Sequence, residues 1–158
     1  MSKLKILINP NETLRTRSED FGLEKIITPA SRKFFADMAE TMLAKDGIGL
    51  AAPQIGKNTR VVVINTKEGP VIMINPKITK KSFAKEWGEE GCLSVPNVFG
   101  QVKRHKKVTC QYYDKAAKKT LIEAEGLMAR VIQHEIDHLD GVLFIDNAKE
   151  LKEVKSHE

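Results

Sequence analysis

The chain lacks most of what would place it outside the cell or in a membrane. Two cysteines in 158 residues are too few for a disulfide framework. There is no run of 18 apolar residues, so no spanning helix is expected. Residues 1–9 are basic and then briefly apolar, without the long apolar stretch and cleavage site of a signal peptide. Repeats, low-complexity tracts and linkers are absent too. These absences point to a cytoplasmic protein. With 41% hydrophobic and 30% charged residues, disorder as the main state is excluded. The length suits a single domain over 1–158 with a core of its own.

The net charge is +5 and unevenly spread. Lys103, Arg104, Lys106, Lys107, Lys115, Lys118 and Lys119 stand against Asp114 alone between positions 103 and 119, which leaves the rest of the chain close to neutral. A basic patch can meet phosphate. The plainer reading is a lysine-decorated edge hairpin that resists aggregation. Neither sequence-specific nucleic-acid binding nor membrane attachment is expected, and the chain reads as a monomer.

Short apolar runs at 60–65, 71–75, 107–113 and 120–124 are rich in Val, Ile and Thr and bounded by turn residues, so they read as strands. Their short connections imply antiparallel pairing. Thr28-Pro29 is a helix start, a capping hydroxyl before proline at the first helical position. Phe34, Met38 and Met42 follow at helical spacing, with Phe35 and Leu43 alongside and Gly47 as a stop. A second helix is expected from about 125 to 139, and a third, mostly polar, from 146 to about 155. The fold class is therefore α+β: antiparallel β-sheets packed around a central helix, an N-terminal helix and a short C-terminal helix.

The second helix carries His134-Glu135-Ile136-Asp137-His138. At ~100° per residue, His138 lies only ~40° from His134 and one turn along, so two imidazoles face one point. That spacing suits one divalent metal. Glu135 sits ~100° round, where a general base can reach a metal-activated water without being a ligand. Composition alone gives on the order of 0.01 such matches in a chain of this length. Leu127 and Val131 project within ~60° of His134, so the stripe that feeds the core also floors the site.

A catalytic metal of this kind needs a third protein ligand and an open position. The candidates are Cys92, His105, Asp140 and Glu150. Cys92 is favoured, because Gly91 permits a bend that presents a thiolate and thiolates suit zinc or ferrous iron. Cys110, alternating with Val108 and Tyr112, reads as a small core residue. Residues 47–54 hold two glycines one residue apart, which allow close backbone approach. Gln54 offers an amide donor for a developing oxyanion.

Taken in order, these segments resemble peptide deformylases. The family motifs GxGLAAxQ, EGCLS and QHExDHLxG stand here at 47–54, 90–94 and 133–141. The resemblance extends to the opening at 4–10, to Leu14-Arg15 and to the strand end at 72–76. It implies that Cys92, His134 and His138 hold one divalent metal, Fe²⁺ in most of the family, with Zn²⁺, Ni²⁺ or Co²⁺ as substitutes. Glu135 would be the general base and acid. Gln54 and the backbone N–H of Leu93 would bind the formyl oxygen. Ile48 and Gly49 would lie along the substrate backbone, Glu90 and Gly91 beside it, and Leu127 and Val131 would line a methionine pocket. The implied reaction removes the N-formyl group from nascent polypeptides, with N-formylmethionyl peptides as substrates. Phe99 departs from the arginine common in bacterial members, whereas Arg104 matches a second basic position. A C-terminal helix in such proteins can dock on the ribosome, although residues 148–158 here balance three Lys against three Glu. Two other readings fit parts of the pattern: a zincin-like peptidase and a binding module that captures formylmethionyl ends.

Overall fold

Period-two and continuous apolar runs in the middle of the chain resolve into two antiparallel sheets. The computed structural model describes residues 4–155. The strands are β1 Gly49–Ala51, β2 Val61–Thr66, β3 Gly69–Lys81, β4 Lys85–Cys92, β5 Val95–His105, β6 Lys107–Tyr113, β7 Lys119–Glu125 and β8 Lys149–Glu153. Five form a sheet in the order β1-β2-β3-β6-β7, and three form a second in the order β4-β5-β8. The helices are α1 Glu12–Arg15, α2 Pro29–Ala44 and α3 Gly126–Leu139. The expected strands and both longer helices are present, and the N-cap of α2 is made as expected, with Thr28 Oγ1 accepting from the Ser31 N–H.

β2 is apolar without alternation because the larger sheet is covered on both faces. Val61, Val63, Ile72 and Ile74 pack on one side with Phe35, Met38 and Met42 of α2. Val62, Ile64, Met73 and Cys110 pack on the other with Ala129, Val131 and Ile132 of α3. Cys110 is thus a core residue, and burial pushes its thiol up to about 11. A third cluster, Leu14, Val95, Val102, Leu143 and Phe144, lies under the smaller sheet. α3 touches strands of both sheets, and this central position brings its histidines to the tip of the β4–β5 hairpin.

The C-terminal segment differs from expectation. Residues 146–155 are not helical: a 3₁₀ turn at Phe144–Asp146 leads into strand β8. A helix here would be polar nearly all round, with little to bury, whereas the open edge of β5 offers backbone partners. Gly100 makes the approach possible, since a Cβ there would come within 2.8 Å of the Leu151 side chain. The short C-terminal helix expected over 146–155 is therefore absent among the described residues. Residues 1–3 of the opening and 156–158 of the tail lie outside them.

The basic run at 103–119 is split by the fold. Lys115, Lys118 and Lys119 decorate the β6–β7 connection at the sheet edge, as expected, while Lys103, Lys106 and Lys107 lie at the opposite end of β6.

Met42 is fully buried and Leu43 is 47% exposed. Met42→Ala should cost about 2–5 kcal/mol of unfolding free energy. Leu43→Ala should stay within about 0.5 kcal/mol. Urea denaturation of the two variants checks this difference.

Candidate active site

Cys92 ends β4, and the chain turns back through Leu93 and Ser94 to Val95, its partner on β5. The turn is thus two residues later than Gly91, which stays within β4 opposite Phe99. On α3, His134 and His138 are one turn apart and stack edge to face with ring centroids 5.0 Å apart. One ligand atom from each of Cys92, His134 and His138 lies within 4.8 Å of the others, and Cys92 Sγ is 3.3 Å from His138 Nε2. The other candidate ligands are elsewhere. His105 Nδ1 meets the Ser82 carbonyl at 2.7 Å. Asp140 caps α3 and pairs with Arg60 at 2.9 Å. Glu150 is exposed on β8.

Glu90 does more than border the site. Its buried carboxylate accepts from Arg104 Nε at 2.9 Å and Nη2 at 2.8 Å, from Arg130 Nη1 at 2.7 Å, and lies 2.8 Å from His134 Nδ1. Burial opposes its charge, yet the Arg104 guanidinium and His134 outweigh this and hold the carboxyl at about 2. With Nδ1 donating to Glu90, His134 turns Nε2 towards the donor cluster, the arrangement carboxylate–histidine pairs use to orient metal ligands. Arg104 also bonds Asp137, so α3, β4 and β5 are tied at one point. Arg104 was legible as a family match, but its partners, and Arg130 altogether, were not. Their signal is a buried charge without a local partner, which only the fold reveals.

Burial, and next the charges of His134 and Arg104, hold His138 well below the usual imidazole range. It is therefore neutral, the form that ligates. Glu135 follows His134 and is buried; burial raises its carboxyl to about 7 against the pull of His134. A Cβ at position 49 would lie 2.5 Å from Glu135 Oε2, so Gly49 is what lets this carboxylate rest against β1. Two of the four buried side-chain polar atoms without a hydrogen-bond partner, among the described residues, are Glu135 Oε1 and His138 Nδ1. One sulfur and two imidazole nitrogens converging beside an uncommitted carboxylate fit a borderline divalent ion.

Gln54 is held by its own turn. Its Oε1 accepts from the Ala51 N–H at 2.9 Å, and its Nε2 donates to Ser94 Oγ at 3.1 Å and lies 3.5 Å from Cys92 Sγ. Every predicted site residue except His138 lines one cavity of ≈ 550 Å³; His138 is buried beneath it. Ile48, Phe99 and Leu127 give the cavity an exposed apolar rim. Phe99, where an arginine is common, contributes no charge to that rim.

A pocket of this size, apolar at its walls and carrying a buried carboxylate and an amide at its floor, fits the active site of a hydrolytic enzyme. A profile of the polypeptide deformylase family matches residues 3–154. A peptide deformylase of Symbiobacterium thermophilum is 43% identical over 159 residues, covering 98% of this chain and 70% of the relative. The crystal structure of peptide deformylase from Thermotoga maritima superposes with a TM-score of 0.90 at 38% identity, covering 94% of this chain and 99% of that one. That of the Ehrlichia chaffeensis enzyme, in complex with actinonin, gives 0.89 at 40% identity, covering 95% and 91%. The chain belongs to the polypeptide deformylase family.

Glu90→Gln leaves two buried guanidiniums short of a counter-charge. It should destabilise the fold by about 3–5 kcal/mol and weaken metal affinity about 10–100-fold, read by urea denaturation and by competition with a chromophoric chelator. In metal-stripped protein, an aromatic disulfide reagent should titrate Cys92 at once and Cys110 only after denaturation. Equal rates for both thiols would contradict the core placement of Cys110.

Proposed function

We propose that this enzyme removes the N-formyl group from formylmethionyl ends of nascent polypeptides, releasing formate. The observation that carries the proposal is Glu135: a buried, uncommitted carboxylate held beside three convergent donors and facing an apolar cavity. Cys92, His134 and His138 would hold one divalent ion, Fe²⁺ in the cell, with Zn²⁺, Ni²⁺ or Co²⁺ as replacements. When bound, the ion supplies a Lewis acid that polarises the formyl carbonyl and lowers the pKa of water.

The chain's own residues do the rest. Glu135 accepts a proton from the attacking water and delivers it to the departing amine as the C–N bond breaks. Gln54 Nε2 and the Leu93 N–H stabilise the oxyanion that forms on the formyl oxygen. The Gln54 amide is already fixed by the Ala51 N–H and Ser94 Oγ. Among the described residues β1 pairs with β2 alone, so its other edge would take the substrate backbone at Ile48 and Gly49, in the manner of an added strand. The methionine side chain lies against Leu127 and Val131 on α3. Gly91 borders the same cavity, and Glu90 acts on substrate only through His134. This reading places the enzyme in the cytoplasm as a monomer.

Anaerobic protein loaded with Fe²⁺ or Ni²⁺ should release formate from formyl-Met-Ala-Ser and leave unformylated Met-Ala-Ser intact. Glu135→Gln should lower kcat about 10²–10⁴-fold, and Gln54→Leu about 10²–10³-fold. No formate release despite one bound ion per chain would contradict the proposal. Cleavage of the unformylated peptide would favour a peptidase.

A further inference from the structure

The smaller sheet has an outer face that the deformylase chemistry does not use. By strand alternation, Lys85 and Trp87 of β4 share that face with their partners on β5, His105 and Lys103. Lys149 of β8 joins them, its Nζ 5.3 Å above the Trp87 ring. Trp87 is nonetheless 46% exposed. At the end of the sheet, the loop 82–84 between β3 and β4 is pinned to the start of β6 by the Ser82 N–H to the Lys107 carbonyl and the Lys106 N–H to the Ala84 carbonyl. Phe83 at its tip is fully exposed. A groove of ≈ 400 Å³ opens beside this corner, with Lys80, Lys81, Lys85 and Lys103 on one side and Gln133 and Asp137 of α3 on the other; Trp87, Phe83 and Lys149 lie outside it.

Two exposed aromatic rings set among five lysines are an unusual use of surface. An unpaired phenylalanine on a loop held in place by backbone bonds gains nothing from folding. Lysines alone would serve as guards of a sheet edge, and Lys85 and Lys149 are on the edge strands β4 and β8, but Lys103 stands on the central strand β5. Acidic neighbours reduce the patch without cancelling it: exposed Glu86 alternates to the other face of β4, and exposed Glu150 and Glu153 lie on β8 with Lys149. Asp137 in the groove is engaged by Arg104, Glu125 meets only Lys107 at 3.7 Å, and Glu89 lies at the far end, in the rim of the substrate cavity.

From this juxtaposition we infer that the outer face of the β4-β5-β8 sheet, with the Phe83 loop, binds single-stranded RNA without sequence preference. Phosphates follow Lys80, Lys81, Lys85, Lys103 and Lys149, while bases stack on Trp87 and Phe83. A track of spaced cations with flat rings between them matches a flexible polyanion whose bases are free to stack. Lys149 already places a cation over the indole, and it turns to phosphate when a base takes that position. A groove suits a strand better than the flat surface of a bilayer.

Trp87 is the one tryptophan of the chain, so its fluorescence reports on this face directly. Titration of the full chain with a 12-nucleotide oligouridylate should quench it saturably. The logarithm of the binding constant should fall with the logarithm of salt concentration at a slope of about −3, as four to five lysines imply. Phe83→Ala should weaken binding about tenfold. Lys85→Glu/Lys103→Glu should abolish it at 150 mM salt, with circular dichroism and formate release from a short formylated peptide unchanged. Equal affinity for a 12-base-pair duplex, or RNA affinity indifferent to these substitutions, would overturn the inference. A Trp87 response to phosphatidylglycerol vesicles but not to RNA would overturn it in favour of a lipid surface. These readouts are independent of catalysis, so they stand or fall apart from the deformylase proposal.

Discussion

The Glu90 carboxylate is the joint on which this architecture turns. It receives Arg104 from β5, Arg130 and His134 from α3, and it precedes Cys92 by two residues on β4. A carboxylate buried alone would be prohibitive, and an ion pair buried alone would gain little. Two guanidiniums and an imidazole saturate its oxygens, so the charge is held rather than merely tolerated. The same bonds set the rotation of α3 against the tip of the β4–β5 hairpin, and with it the convergence of one sulfur and two nitrogens from segments 42 and 46 residues apart.

The rest of the fold serves that convergence. α2 and α3 cover opposite faces of the five-stranded sheet, so the floor of the site is as firmly packed as any core layer. β1 presents a free edge beside the donors, and Gly49 gives Glu135 the room that a side chain would take. α3 thereby brings different properties to one cavity: Leu127 and Val131 supply apolar surface, and the next turns supply nitrogen and carboxylate. Burial raises the Glu135 carboxyl to about 7 and holds His138 well below the usual imidazole range, so both sit in the same dry floor of the cavity.

Much of this was legible before folding was considered. The HExxH spacing follows from helix geometry alone, and the Thr28-Pro29 start and the β2, β3, β6 and β7 strands follow from local patterning. Cys92 was favoured by chemistry, and its location on a hairpin tip adds the geometric reason. Three features were not legible. The C-terminal segment reads as a mostly polar helix; the deciding factor is the edge of β5 that β8 takes up, which no local pattern announces. Glu90 is expected beside the substrate and lines the cavity, but its bonds to Arg104 and Arg130, 14 and 40 residues away, are not legible from local sequence. The basic run at 103–119 reads as one patch, but the extended strand β6 holds Lys106 and Lys107 at one end and Lys115, Lys118 and Lys119 at the other. In each case the missing information is a tertiary partner.

The account rests on Cys92, His134 and His138 acting together on one ion, ordered by Glu90. X-ray absorption on anaerobic protein loaded with one equivalent of Zn²⁺ tests this most directly. The account predicts one sulfur at about 2.3 Å and two imidazole nitrogens at about 2.0–2.1 Å, with the sulfur lost in Cys92→Ser. A shell of nitrogen and oxygen alone, or a sulfur that persists in Cys92→Ser, would contradict it.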